Sequence, residues 1–530
     1  MTFKRLLTAS LMLLLSLTFT TASYAQEKVI TGKVTDSKDG SPIAGASVIA
    51  SGAVSGGTVT GADGTFRISV SSNVNALLIS YIGYGTQEIS IIGKTSLEVG
   101  LSSSGSNLNE VVVVGYGTAR RKDITGSVAS VKARDFNQGV LTAPDQLIQG
   151  KVAGVQVINN TGAPGGATTV RIRGISSIRS GNQPLFVVDG VPLSGGSAAP
   201  GLGTALGGAP GDNPLNFINP NDIASMEVLK DASATAIFGS RGANGVIIIN
   251  TKRGQSGAAR VEFNTSVGVA SLLRKLEVLD GNEYRATLTK YGLNSGNFGG
   301  NVDAMDAITR NAITQNYNLA VTQGSENGRY RVSVGYQNMN GIIKESGFKK
   351  LTANFSGSYK FLENKRLGLD FSILTANTTT NSAPISNDAG FQGSLIANAL
   401  QWNPTAKLDW TKAQPTNPAL GATTINPLAL LAAYADVNNL TSILASIAPS
   451  YKLTDDLEYK FLYSVNYGRG ERKTEIRRWL NIQGNRGFGQ IANNRQFNQV
   501  LTHTLNYNKQ IGSDLNIGAL VGYEYLRYDF

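Results

Sequence analysis

The side chains that most often perform bond chemistry are nearly missing from this sequence. Its 530 residues include one histidine, His503, and no cysteine. Zinc centres built from Cys and His, disulfide frameworks, thiol nucleophiles and Ser-His-Asp relays all need residues that are not there. Carboxylates alone remain, and no cluster of them stands out. Two glycine patterns invite a nucleotide reading and fail it. Gly115-x-Gly117 lacks a third glycine and opens no βαβ unit, and Gly93-Lys94-Thr95 has Glu88 where a phosphate loop needs its first glycine. No catalytic residue, metal or cofactor is expected, and the chain reads as a non-enzyme.

Two kinds of non-covalent recognition are left. Trp402, Trp410 and Trp479, with Asn403, could stack on and hydrogen-bond sugar rings, although such residues also serve as interface anchors or loop cores. The run Glu110, Val111, Val112, Val113, Val114, Gly115 offers backbone instead. It follows a Ser/Gly/Asn linker, Ser102 to Asn107, and is headed by an acid. A buried strand is one reading. The other is an exposed, extended segment that adds an edge strand to a partner sheet, where main-chain hydrogen bonds supply affinity.

The elements around these residues are mostly strands. Glycine is abundant at 61 residues and proline modest at 15, which suits many short strands joined by turns. The net charge of +11 comes from scattered residues, the longest basic run being Arg120, Arg121 and Lys122. Nucleic acid, which asks for a basic stripe, is not an expected partner. Lys4 and Arg5, the apolar run Leu6 to Leu17 and the small residues of Ser23-Tyr24-Ala25 read as a signal peptide over residues 1–25.

Residues 26–104 alternate apolar and polar in short runs, as at Ile30, Gly32 and Val34 or Phe66, Ile68 and Val70, and predict a small β-sandwich. Residues 105–118 form a linker that carries the valine run. Residues 119–254 read as mixed α/β: a short helix at Asp145 to Gly150, strands at Arg171 to Gly174 and Phe186 to Asp189, and a buried strand at Val246 to Asn250. The Gly/Ala stretch Gly195 to Gly211 reads as a loop too flexible for a core. From residue 255 long alternating strands begin. Leu351, Ala353, Phe355, Tyr359 and Phe361 share one face, as do Leu457, Tyr459, Phe461, Tyr463, Val465 and Tyr467. Aromatics on the apolar face and charges and amides on the other predict a lipid-facing exterior and a wet lumen. Nine strands are expected, starting near residues 259, 315, 329, 350, 366, 441, 456, 498 and 514. Short turns such as Glu326-Asn327-Gly328 alternate with long excursions such as Ala376 to Asn438. The fold class is thus multidomain and mostly β: a transthyretin-like sandwich, an α/β domain and an incomplete antiparallel transmembrane β-barrel.

Several phrases carry a family resemblance. Gly32 to Asp36, Pro42 to Val48 and Thr60 to Phe66 resemble the carboxypeptidase regulatory-like domain, which implies a sandwich without catalytic residues. The valine run resembles the TonB box of SusC/RagA-type TonB-linked transporters. Five phrases in series resemble the plug domain of that family: Leu147 to Val155, Val170 to Gly174, Pro184 to Val191, Asp222 to Asp231 and Ala232 to Thr251. The plug residues these motifs single out are Arg171, Arg173, Gly174, Asp189, Gly190, Glu227, Lys230, Asp231, Arg241, Gly242, Asn244 and Gly245. The resemblance implies active import across the bacterial outer membrane, with the sandwich and TonB box in the periplasm. It implies TonB, energised by ExbB and ExbD, a SusD-like surface lipoprotein as lid, and oligosaccharide or peptide cargo. A siderophore or signalling receptor, or a β-rich adhesin, are the alternatives. A plugged transporter of this kind has about 22 strands, so the chain is expected to be the N-terminal part of a longer protein.

Overall fold

The computed structural model describes residues 27–529 apart from 38, 52–56, 72–73, 82–83, 102–110, 115–116, 121–126, 179–180, 202, 205–206, 209–210, 294, 363, 386–393, 411–423, 483–484 and 513–514. The predicted signal peptide lies outside the described residues. The chain divides near residue 110 into two compact units.

The first unit is the expected sandwich. One sheet sets β1 (Glu27–Asp36) between β4 (Thr65–Ser71) and β7 (Ser96–Leu101); the other runs β3 (Gly57–Val59), β2 (Ser47–Ala50), β5 (Ala76–Ser80) and β6 (Gln87–Ser90). The alternation read from the sequence puts Ile30, Val34, Phe66, Ile68, Val70, Leu77 and Ile79 into one core.

The second unit opens with a two-stranded sheet of β8 (Val111–Val114) and β9 (Gly117–Arg120), followed by the plug. The plug's main sheet has the order β10 (Val128–Lys132), β17 (Ile223–Leu229), β18 (Val246–Thr251), β13 (Leu185–Val188), β14 (Val191–Pro192). Hairpin β11 (Val155–Asn159) and β12 (Thr168–Ile172) and the small ladder β15 (Gly203–Thr204) and β16 (Gly207–Gly208) lie outside that sheet. Three plug expectations need correction. The first concerns Arg171 to Gly174: the strand covers Thr168–Ile172, and Arg173 and Gly174 leave it with φ of 59° and 91°. The second concerns Phe186 to Asp189, where the strand ends at Val188 and Asp189 turns with φ 50°. The third concerns Gly195 to Gly211. Ala198 within that stretch is buried, because Gly468 and Gly470 of a facing strand have no side chain to hold it off. A Cβ on Gly470 would stand 2.3 Å from the Ala198 carbonyl oxygen.

Nine antiparallel strands pair strictly in chain order: β19 (Gly257–Ala270), β20 (Ala312–Gly324), β21 (Gly328–Asn340), β22 (Gly347–Phe361), β23 (Leu367–Asn381), β24 (Tyr434–Lys452), β25 (Leu457–Ile482), β26 (Asn485–Ile511) and β27 (Leu515–Asp529). Short turns join them at one end. At the other stand short helices, among them Ala304–Ile308, Leu395–Gln401 and Pro427–Ala433, which share an apolar core with Ile476 and Leu480 of β25.

The outward face of this sheet measures its own solvent. On β25 it reads Leu457, Tyr459, Phe461, Tyr463, Val465, Tyr467 over eleven residues, then changes to Arg469, Glu471, Lys473 and Glu475. The same width recurs on β26, from Phe497 to Tyr507, and on β22, from Leu351 to Phe361. Tyr467 pairs with Phe497 and Leu457 with Tyr507, so the band is level. A bilayer core takes about 9–11 residues of tilted strand. Phe461, in mid-band, therefore faces hydrocarbon, and Phe461→Arg is expected to cost assembly about 2–4 kcal/mol. Heat-modifiable mobility of the full-length protein reads this directly; unchanged assembly would contradict the orientation. Ser464, on the inward face and expected to meet the lumen or the plug, is buried at 1% exposure. An arginine there has no room, contrary to the tolerance that a water-filled lumen predicts.

Candidate functional site

The functional geometry lies where the plug meets the inner face of the nine-stranded wall. One group of contacts is polar and buried. Arg331 on β21 donates from Nη2 to Asp222 Oδ1 at 3.1 Å and from Nη1 to Thr322 Oγ1 at 3.2 Å, and Ser333 donates to Asp222 Oδ2 at 2.6 Å. Arg331 and Asp222 are 2% and 3% exposed. Lys350 on β22 donates to the Thr142 carbonyl at 2.7 Å and the Ile218 carbonyl at 3.3 Å, and Asn219 donates to Asn318 at 2.8 Å. A buried charge is tolerated only when paired and hydrogen-bonded, so β20–β22 hold the plug segment Ile218–Asp222 through directed bonds. A second contact group lies on β24–β27. Ser194 accepts from Asn498 at 2.8 Å and from Gln496, Asp212 accepts from Asn438, and Arg241 pairs with Glu524 at 2.5 Å. Arg472 clamps Asp436 within the wall.

Most sequence-marked plug residues build the plug itself. Arg173 pairs with Asp231, which also accepts from the Ser127 amide at 2.5 Å. Asp189, buried at the turn it makes with Gly190 (φ 86°), accepts from the Thr251 amide and hydroxyl and pairs with Arg253 at 3.3 Å. Glu227 accepts from Ser225 at 2.7 Å and Asn250 at 2.5 Å. Lys230 donates to the Ala153 carbonyl, Asn244 to that of Gly181. Arg171 lies on β12 and its Nε is buried without a partner. Gly242 and Gly245 sit where a Cβ would come within 3 Å of Thr235 O and Ile172 Cδ1. Only Arg241 reaches the wall. The residues that sequence reasoning missed, Arg331, Ser333 and Lys350, were marked by one signal: charged or hydroxyl side chains on the inward face of otherwise regular strands.

The aromatic candidates separate. Trp402 is buried and donates to the Ala406 carbonyl at 3.0 Å, and Asn403 is buried between Gly296 and Thr405, so both are loop core and are corrected as cargo contacts. Trp410 and Trp479 are exposed, edge to face at 6.3 Å. Of the valine run, Val111–Val114 form β8, paired with β9 alone among the described residues; Glu110 and Gly115 lie outside them. No group of three His, Asp or Glu that could hold a metal occurs among the described residues.

Burial raises the pKa of two plug carboxyls, Asp145 and Asp212, to about 6, and each contributes its own part of the pH dependence. Asp145 is 1% exposed, and desolvation raises its pKa to about 6, against hydrogen bonds from Asn213 that favour the charge. Its folded pKa lies above the unfolded one, so the native state keeps a proton that the unfolded chain has lost. Stability from this group is present below about pH 4 and is lost as pH rises through 6. Asp145→Asn is expected to reduce that slope, Asp212 keeping its own part, and to remove up to about 3 kcal/mol of pH dependence. Plug melting followed between pH 4 and 7 reads it; an unchanged slope would rule Asp145 out as its source.

The model of the TonB-dependent Receptor Plug Domain matches residues 120–246, and that of the CarboxypepD_reg-like domain residues 30–113. The chain is 32% identical to the TonB-dependent receptor SusC of Bacteroides thetaiotaomicron, over 96% of this chain and 51% of SusC. It is 33% identical to the TonB-dependent receptor P3 of Formosa agariphila, over 94% of this chain and 48% of that protein. Its fold is similar to that of a chain of the RagAB peptide importer in the "open-open" state, with TM-score 0.65 and 23% identity over 79% of this chain and 49% of that one. The chain spans about half the length of the curated relatives it matches. The chain is a homologue of the TonB-dependent receptor SusC over about half that receptor's length, and it carries the matches to the plug and CarboxypepD_reg-like domains.

Proposed function

We propose that the protein is an outer-membrane importer that moves oligosaccharide or peptide cargo inward when TonB pulls on its plug. The observation that carries this reading is a plug hydrogen-bonded across the inner face of a wall whose outer face bears a level apolar band of eleven residues. A plug held by a limited number of directed bonds is one that a mechanical pull can release. The short-turn end of the wall faces the periplasm and the helix-capped end faces outside. The sandwich and Val111–Val114 stand on the periplasmic side, where TonB, driven by ExbB and ExbD, adds a strand to the valine run. A SusD-like lipoprotein covers the outer end. The likeness to SusC supports TonB coupling; the cargo classes and the lid rest on the family resemblance of the plug and valine-run motifs. The protein performs no bond chemistry.

The test is contact with TonB. Val113→Cys in the full-length protein, in an otherwise cysteine-free background, is expected to form a disulfide with a cysteine in the strand-adding domain of TonB in living cells. Absence of that cross-link at each position from Val111 to Val114, with normal surface levels, would sink the reading.

A further inference from the structure

Several cavities lie between the plug and the wall: one of about 700 Å³ stands beside β19–β21, where Arg331 lines it, and two others lie one above the other over the same strands, β24–β26. The lower, about 690 Å³, is lined by Ser446 and Ala448 of β24, Lys460 and Leu462 of β25, and Thr502 and Thr504 of β26. The upper, about 580 Å³, is lined by Leu440 and Ser442, by Asn466 and Gly468, and by Gln496 of the same three strands. On β24 only Leu444 separates them on the inward face, and on β25 only Ser464. Strand rise puts the two linings about 13 Å apart along β24 and β25 and about 20 Å apart along β26. On the plug side one hairpin divides them. Phe186 of β13 and Leu193 just beyond β14 line the upper cavity, and the turn Asp189–Gly190 lines the lower.

The dividing level and the adjoining rim of the lower cavity, where Ser446 stands, have an unusual composition. Register aligns Ser356, Ser372, Ser446 and Ser464 directly across β22 to β25, and Ser464 faces Val500 on β26. Leu374 pairs with Leu444 in the adjoining row, and both join Val500 in the plug's apolar core. Ser372 and Ser446 bond to each other at 2.8 Å. The hydroxyls of Ser356, Ser464 and Thr502 and the Oδ1 of Asn498 are buried without a hydrogen-bond partner among the described residues. Native interiors rarely leave such atoms unpaired, and each unmade bond costs about 1–3 kcal/mol. A row of small hydroxyls pressed against an apolar hairpin is poorly served in the closed state. It is well served once a polar chain takes the hairpin's place. At the β21 end Arg331 and Ser333 bond a plug carboxylate, Asp222, directly, although Arg331 Nε and the Asn354 side chain are also buried without a partner among the described residues.

We infer that cargo crosses along β23–β26, that the serine row with Leu374, Leu444 and Val500 is the narrowest level of that route, and that hairpin β13–β14 is the gate. The β20–β22 side stays seated while the hairpin moves. The row selects cargo that is polar, uncharged and rich in hydroxyl or amide groups. This rests on the import reading above.

The test is site-specific thiol labelling in living cells. Ser464→Cys and Ser333→Cys replace residues of equal exposure, 1%, at adjoining levels of the wall. Each is made in the full-length protein in a cysteine-free background, with Val500→Cys as a second position on the route. Cells receive a mixture of maltooligosaccharides and tryptic peptides and a membrane-impermeant sulfonated maleimide. Labelling rate follows the open population, so Ser464→Cys and Val500→Cys are expected to label at least about tenfold faster with TonB than without it, and Ser333→Cys to show no change. Equal acceleration at Ser333→Cys, or none at both route positions, overturns the inference. The Val113→Cys cross-link, run in parallel, separates the two failures: if it forms and the route stays closed, only the route is wrong.

Discussion

Val112→Pro in the full-length protein sharply slows growth on an oligosaccharide or peptide mixture that the unaltered protein supports, and leaves surface level and outside binding intact: this is the expected result at the valine run. Proline removes a backbone donor and fixes φ, so an incoming strand finds no N–H at that position. One tenfold step in affinity is only about 1.4 kcal/mol, and a lost backbone hydrogen bond that strands its partner carbonyl costs about that or more. Growth should therefore fall about tenfold or further. The wall and plug should melt as before. Growth at the unaltered rate would show that energy enters elsewhere.

Arg331→Met carries the second large effect, on seating of the plug. It leaves the Asp222 carboxylate buried with only Ser333 to bond it, and removing one partner of a buried pair costs about 3–5 kcal/mol. The double variant Asp222→Asn/Arg331→Met removes the stranded charge as well and is expected to recover most of the loss, because paired replacement by neutral groups is often nearly neutral. Protease resistance of the plug in purified full-length protein gives the measurement. A single variant as resistant as the parent, or a double variant as weak as the single, would mean that Arg331 does not seat the plug.

What the sequence allowed to be read depended on which solvent each residue meets. Nine strands were legible because lipid on one side and plug on the other impose a period of two. Their ends were not legible outside the membrane. β26 starts at Asn485 rather than near 498, and β24 at Tyr434 rather than near 441. Above the band neither face meets hydrocarbon, so Asn493, Asn494 and Arg495 carry no alternation to detect. The helix Gly281–Lys290 was passed over although Asp280 and Glu283 form a capping box that marks its start. Arg173 and Asp189 looked like strand residues, since nothing in their type announces positive φ. The plug–wall bonds were the least legible, because Asp222 and Arg331 are 109 positions apart and no local pattern links them.

The eleven-residue band on a 26-residue strand has a consequence for how this protein can change over time. Below Tyr467 every outward substitution on β25 is judged by transfer into hydrocarbon, where an arginine at mid-depth costs about 2–4 kcal/mol. Above it the judge is water, and Arg469, Glu471 and Lys473 sit there at little expense. The inward residues of that upper half, such as Arg472, Ile476 and Leu480, are held by buried neighbours, whereas outward ones make only exposed contacts such as Lys473 with Glu471 and Trp479 with Trp410. The outward skin of the tall hairpin can therefore be rewritten residue by residue without reaching insertion, seating or gating. Variation among descendants should gather there and stop at the level of Tyr467 and Phe497.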